Sequence, residues 1–249
     1  MRFGNILVLT AVVMLLQSCY KYRCTDGNHQ IVNQKRHLEQ TFTGIELQSS
    51  FDIEIRDNNS DTIEVVAESN IMKMIITEVK NGILIIRAPH NRCIDAHETI
   101  VIKCKTGNIR ILTINGSGSL KSKKIKNVSI CKIGGSGDLL VSKIEATDFT
   151  VQIEGSGSAT IDSVNASNIT FMIDGSGNII NKHSNATNAI NKIEGSGNIK
   201  TTIVCNSYDA QFEGSGNIDI TGNCKNANIN INSSGDFNGF NFLIKNCNA

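Results

Sequence analysis

Apolar and polar residues alternate along most of this chain, and one recurring phrase punctuates the alternation. Phe149-Thr150-Val151-Gln152-Ile153-Glu154 and Ile169-Thr170-Phe171-Met172-Ile173-Asp174 place apolar side chains at every second position, Met172 apart. A period of two predicts a β-strand with one buried face. Each run leads into Gly-Ser-Gly, after which a second, shorter run begins, as in Asn178-Ile179-Ile180, Asn198-Ile199-Lys200 and Asn217-Ile218-Asp219-Ile220. The glycines let the chain turn sharply between the two strands. Gly-Ser-Gly begins at Gly116, Gly135, Gly155, Gly175, Gly195 and Gly214, and a seventh, altered copy reads Ser233-Ser234-Gly235. The copies stand 19, 20, 20, 20, 19 and 19 residues apart.

So even a period predicts one structural unit stacked on itself. Aligning the copies on their first glycine position gives continuous apolar columns. Two places before it stand Ile114, Ile133, Ile153, Ile173, Ile193, Phe212 and Ile231; four places after it stand Leu120, Leu139, Ala159, Ile179, Ile199, Ile218 and Phe237. Such columns arise when each unit of about 20 residues is one coil of an all-β solenoid. At the strand spacing of about 4.8 Å, seven coils make a rod section of roughly 34 Å.

The rest of the chain is read against this repeat. Residues 38–249 form one solenoid domain: irregular coils and a cap over 38–110, the repeat coils over 111–240, and an end segment at 241–249. Phe51-Asp52-Ile53-Glu54-Ile55 alternates cleanly, and Asn81-Gly82 signals a turn before Ile83-Leu84-Ile85-Ile86. Residues 69–80 leave a short helix open.

The first 18 residues have a different character. Arg2 precedes an apolar run, Ile6 to Leu16, that is too short to span a bilayer comfortably. This predicts a secretory signal. Leu16-Gln17-Ser18-Cys19 resembles the bacterial lipobox, which makes Cys19 the expected first mature residue and the lipidation site. An ordinary secretory signal with a chance cysteine is the alternative. Residues 19–37, polar and without period, read as a tether between lipid and domain.

Charge narrows the partners. The chain carries 24 basic and 23 acidic residues and no Trp. A near-neutral chain poor in aromatics argues against nucleic acid as a partner. Eight cysteines are present, and setting Cys19 aside leaves an odd number. No C-x-x-C occurs, so zinc or thioredoxin-like chemistry has no support.

Three further columns bear on function. A small-residue column (Ala146, Ala166, Ala186) continues with Cys205 and Cys224. These two are either buried thiols acting as small hydrophobes or a disulfide between adjacent coils. Asn178, Asn198 and Asn217 stack at the turn, where their amides can hydrogen-bond from coil to coil. Glu154, Asp174, Glu194 and Glu213 form an acidic column on the outer face, which Lys192 relieves. That column is either a solvated stripe or a low-affinity Ca²⁺ site; no other cofactor or metal is indicated. The five histidines (His29, His37, His90, His97 and His183) fall in no motif, and no nucleophile elbow or phosphate loop occurs.

Phe42-Thr43-Gly44-Ile45-Glu46-Leu47, Ser50-Phe51-Asp52-Ile53-Glu54-Ile55, Asn81-Gly82-Ile83-Leu84-Ile85 and the repeated Gly-Ser-Gly-Asn/Asp together resemble the autotransporter adhesin head domain, or GIN domain. The resemblance covers about residues 38 to 240. It implies a right-handed, single-stranded parallel β-helix, found in exported lipoproteins of Bacteroidetes. No functional residues come with it. Relatives also carry a pectinase label, taken from the likeness of the fold to pectate lyase.

These readings converge on a non-enzymatic, lipid-anchored cell-envelope protein, held at the outer membrane and presenting a rigid solenoid to a glycan or protein. A carbohydrate-active lyase or hydrolase is the alternative; it needs a groove that joins Asp/Glu with Arg/Lys on one sheet. A self-assembling surface module is a third reading.

Overall fold

The computed structural model describes residues 24–56, 62–105 and 107–248. The chain folds as an all-β solenoid with coils of about 20 residues, as the columns predict. Each repeat coil contributes one strand before its Gly-Ser-Gly and a second one after it. The leading strands Ile111–Ile114, Ile130–Ile133, Asp148–Ile153, Asn168–Ile173 and Asn188–Ile193 stack in parallel. The following strands Leu120–Lys126, Leu139–Glu145, Ser158–Asn165 and Asn178–Asn185 stack likewise. From Asn198 onward the two strands of each coil run on without a break, as Asn198–Phe212, Ile218–Ile231 and Phe237–Asn248.

Register follows the sequence alignment except at two irregularities, between Asn181 and Ser184 and between Asp219 and Thr221. Leu120 pairs with Leu139, Leu139 with Ala159, and Ala159 with Ile179. Each inward column is therefore a line of side chains in van der Waals contact, and Ile114, Ile133, Ile153, Ile173, Ile193 and Phe212 are all buried. Full burial of one such side chain is worth about 2 kcal/mol. Ile231, which ends this column, is 46% exposed, and Phe240 and Leu243 in the last coil are more exposed still.

The N-terminal part departs from chain order. Gly44–Leu47 and Asp52–Arg56 make the coil that receives the repeat, pairing with Ile111–Ile114 and Leu120–Lys126. Beyond it lies a coil formed by later residues, Ile83–Arg87 and Val101–Lys105. Antiparallel strands then close this end: Ile76–Lys80 against Ile83–Arg87, and Thr62–Glu68 against Val101–Lys105. The Asn81-Gly82 turn is a tight hairpin, with positive φ at both residues. Residues 69–80 hold only a three-residue 3₁₀ turn, Met72–Met74, and the strand Ile76–Lys80.

The tether expected over 19–37 is corrected from Cys24 onward. Ile31–His37 pairs antiparallel with Thr62–Glu68 along its whole length. The Arg36 guanidinium donates to the carbonyls of Met72 and Ile75 and to Thr77 Oγ1. Cys24 is disulfide-bonded to Cys93, and Thr25–Asp26 pairs with Ile94–Asp95. Backbone pairing, one cation and one covalent bond hold this segment, so it needs no hydrophobic period. The signal segment and Cys19 lie outside the described residues.

Candidate functional site

The turn column is a hydrogen-bonded ladder. Asn198 donates from its backbone N–H and its Nδ2 to Asn178 Oδ1, at 3.2 and 3.0 Å, and Asn217 does the same to Asn198 Oδ1, at 3.0 Å each. Asp138 and Asp52 play the acceptor's part at Ser158 and Ser119. A second ladder, not foreseen, joins Asp148, Asn168 and Asn188 at the opposite corner, with Nδ2–Oδ1 distances of 2.6 and 2.8 Å. These amides are occupied in stacking.

The acidic column stands in line on the outer face. Gln152 Nε2 bridges Glu154 and Asp174, at 2.9 and 3.2 Å. Lys192 Nζ lies 2.5 Å from Glu194, and it is also close enough to Glu213 and Asp174 for both to raise its pKa. Glu194 is correspondingly held below the usual carboxylate range, chiefly by its hydrogen bond from Lys192. Among the described residues no three His, Cys, Asp or Glu side chains converge so as to hold a metal ion. The carboxylates thus stand in a line along the rod, sharing Gln152 and Lys192, and do not form a cage.

Cys205 and Cys224 face each other in register, but both are buried free thiols, so the disulfide alternative is corrected. In-register parallel neighbours hold their Cβ atoms near the strand spacing of about 4.8 Å, whereas a disulfide wants about 3.8 Å. Burial pushes Cys205 up to about 12, and Cys104 likewise. The Cys24–Cys93 pair is separated by 69 residues, and no repeat column could have brought it into view.

A cluster beside that disulfide was also missed. Glu68 is fully buried on the closing strand, and its carboxylate accepts backbone N–H bonds from His29 and His97, at 2.6 and 3.0 Å. Burial raises its pKa, but these donors and the Glu98 N–H outweigh that, so the net shift is downward. The imidazoles of His29 and His97 stack at 4.0 Å, and His97 Nε2 meets Asp26 at 2.8 Å. The carboxylate organises two loops and fastens the N-terminal segment.

A cleft of about 990 Å³ lies on the following-strand sheet. It forms where those strands bend and two successive residues, such as Lys123 and Lys124, both turn outward. Leu140 and Thr160 make its floor, with Lys121, Lys123 and Lys124 on one strand and Lys182 three coils on. Arg56 pairs with Glu54 at 2.5 Å, and Lys182 with Asp162 at 2.7 Å. Asp162 is held below its ordinary value, first by Lys182 and also by Ser142, the opposite of the shift a general acid needs. The run Lys121-Ser122-Lys123-Lys124-Ile125-Lys126 was the available signal for this patch; a near-zero net charge concealed it.

A sequence profile of the family described as "putative auto-transporter adhesin, head GIN domain" matches residues 41–202 and, in a second match, 175–249. The chain belongs to this family. Solved structures of similar fold include a "putative lipid binding protein" from Parabacteroides distasonis, with 21% identity, covering 91% of this chain and 100% of that one, at a TM-score of 0.60. A "putative adhesin" from the same organism has 17% identity, covering 89% and 99%, at 0.68. Another "putative adhesin", from Parabacteroides merdae, has 15% identity, covering 90% and 99%, at 0.65. At these identities the likeness is one of fold. No curated protein matches the chain in sequence. The irregular N-terminal coils are part of what the GIN profile matches, as the repeat is.

Proposed function

We propose that this GIN-domain protein is a non-enzymatic, adhesin-like protein of the cell envelope, anchored by lipid on Cys19 and binding a glycan or protein through the outer faces of its solenoid. The observation behind this reading is the family match across nearly the whole solenoid. Two features support it. The turn column is a uniform ladder of amides already occupied in stacking, and the cleft joins cations to ion-paired carboxylates. That combination suits recognition better than acid–base chemistry, which wants a carboxyl poised near the working pH. The outer membrane is the expected location, from the lipobox alone.

A glycan array probed with the purified protein, followed by reducing-end assays on each hit, tests the reading. Saturable binding without product is the expected result. Product formation overturns it in favour of a lyase or hydrolase acting in the cleft, where Asp/Glu and Arg/Lys do share one sheet. The anchor is tested separately: metabolic labelling with an alkynyl fatty acid is expected, and is expected to vanish in Cys19→Ala.

A further inference from the structure

We infer that the cleft on the following-strand sheet is a binding site for an acidic polysaccharide, laid along the solenoid axis. The inference rests on the adhesin reading and adds the class of ligand and its place. Three observations carry it.

The first is charge. Arg56, Lys121, Lys123, Lys124 and Lys182 line the cleft against two carboxylates, Glu54 and Asp162, a surplus of three positive charges on a chain whose net charge is only +1. Part of the surplus is met from just outside the cleft, since Lys124 pairs with Glu145 at 2.9 Å and Lys121 with Asp52 at 3.2 Å. Lys123 has no ion-pair partner among the described residues. Lys121 and Lys182 are more than half exposed, and their bonds to Asp52 and Asp162 are surface pairs that a ligand carboxylate can replace. A concave site of one sign concentrates counter-charged ligand and speeds its capture.

The second is spacing. Lys123 and Lys182 occupy equivalent outward positions three coils apart, about 14 Å along the axis. Arg56, which follows Ile55, lies one coil further on, because Ile55 pairs with Ser122. The site is thus a track of cations one or several coil spacings apart. The coil rise is close to the length of one pyranose residue, so an extended glycan can keep step with it, setting acidic groups against Arg56, Lys123 and Lys182 and hydroxyls against Ser142 and Asp162, which stand between the two lysines.

The third is the floor. Leu140 is 38% exposed and adjoins Thr160, offering a small apolar surface flanked by polar groups. A sugar ring presents a C–H face and a polar rim, and matches that arrangement. Single-stranded nucleic acid, the other polyanion, is read by stacking on aromatic side chains, and none lines the cleft.

The test uses the purified protein with polygalacturonate and hyaluronate as acidic probes and dextran as the neutral one, measured by calorimetry at low and physiological salt. Lys121→Gln/Lys123→Gln/Lys182→Gln is compared with Lys132→Gln/Lys192→Gln, which alters the opposite sheet. Thermal unfolding confirms that each variant is folded. The expected result is salt-sensitive binding of an acidic probe, weakened about tenfold by the cleft variant and unchanged by the control. Equal binding by wild type and cleft variant overturns the site. Dextran binding without acidic-probe binding overturns the ligand class but leaves the adhesin reading standing. Failure of both acidic probes also overturns the inference, and the array result on neutral glycans and proteins then judges the adhesin reading separately.

Discussion

Replacing Gly177 by alanine tests whether the Gly-Ser-Gly phrase is there for close approach between coils. A Cβ on Gly177 would stand 1.8 Å from the carbonyl oxygen of Gly157 on the preceding coil and 2.9 Å from Ile153 Cγ2. Ordinary contact begins near 3.4 Å, so the two coils must part by about 1.5 Å locally, roughly a third of the strand spacing. Neither neighbour can swing aside, since one is backbone and the other is buried on the core column. Parting the coils also strains the Ser176 N–H bond to the Gly155 carbonyl, now 2.9 Å. Overpacking of about 1–3 kcal/mol, with about 1 kcal/mol for each of one or two lost hydrogen bonds, sums to about 2–5 kcal/mol. For a chain of this size the melting midpoint should fall by about 10 °C. Circular dichroism during thermal and urea unfolding measures it. Ser176→Ala, between the same glycines, is the control and should stay within about 0.5 kcal/mol of wild type. If Gly177→Ala melts within about 2 °C of wild type, the close-approach argument is wrong.

Three further outcomes are expected. Cys24→Ser frees a loop of 69 residues and should lower stability by about 4 kcal/mol on the chain-entropy argument, loosening 24–37 first; hydrogen exchange by mass spectrometry locates the change, and uniform loss of protection counts against it. Glu68 has a lowered folded pKa, so its contribution is complete above the ordinary carboxylate range and disappears as pH falls through and below it; protection of 29–37 should drop in that acid window in wild type and lose its pH dependence in Glu68→Gln. Native alkylation at pH 8 should label Cys247, the exposed free thiol, well before Cys104, Cys131, Cys205 and Cys224, whose burial raises their pKa values; rapid labelling of Cys205 in the folded protein would contradict the packing.

What the sequence made legible is what repeats. Ile153 and Ile173 face inward because a period of two leaves them no other side, and their register follows from the 20-residue spacing alone. The same reasoning recovered the stacked amides at Asn178, Asn198 and Asn217, and the role of Lys192 beside Glu194. Features that occur once were harder to see. The Cys24–Cys93 bond, the Glu68 carboxylate that gathers two loops, and the insertion of Ile83–Arg87 beyond Gly44–Leu47 depend on long-range closure, for which no column exists. The cleft was hidden for another reason. Its lysines sit where the strand bends and two consecutive residues point outward, which breaks the alternation that marks a face.

The closing of one end by antiparallel strands, against in-register stacking everywhere else, has an evolutionary consequence. A coil of the repeat touches only its two neighbours, and both offer it the same pattern of partners. Gain or loss of one whole unit of about 20 residues therefore keeps every type of contact and leaves the N-terminal closure as it is, changing the rod by about 4.8 Å. Gain or loss of an odd number of residues inside a strand instead turns the inward column outward for the remainder of that strand, unless a bulge absorbs it, as the irregularity between Asn181 and Ser184 does where 20- and 19-residue coils meet. The reach of this molecule is thus free to vary in whole steps, and homologous rods should differ in reach by multiples of one coil.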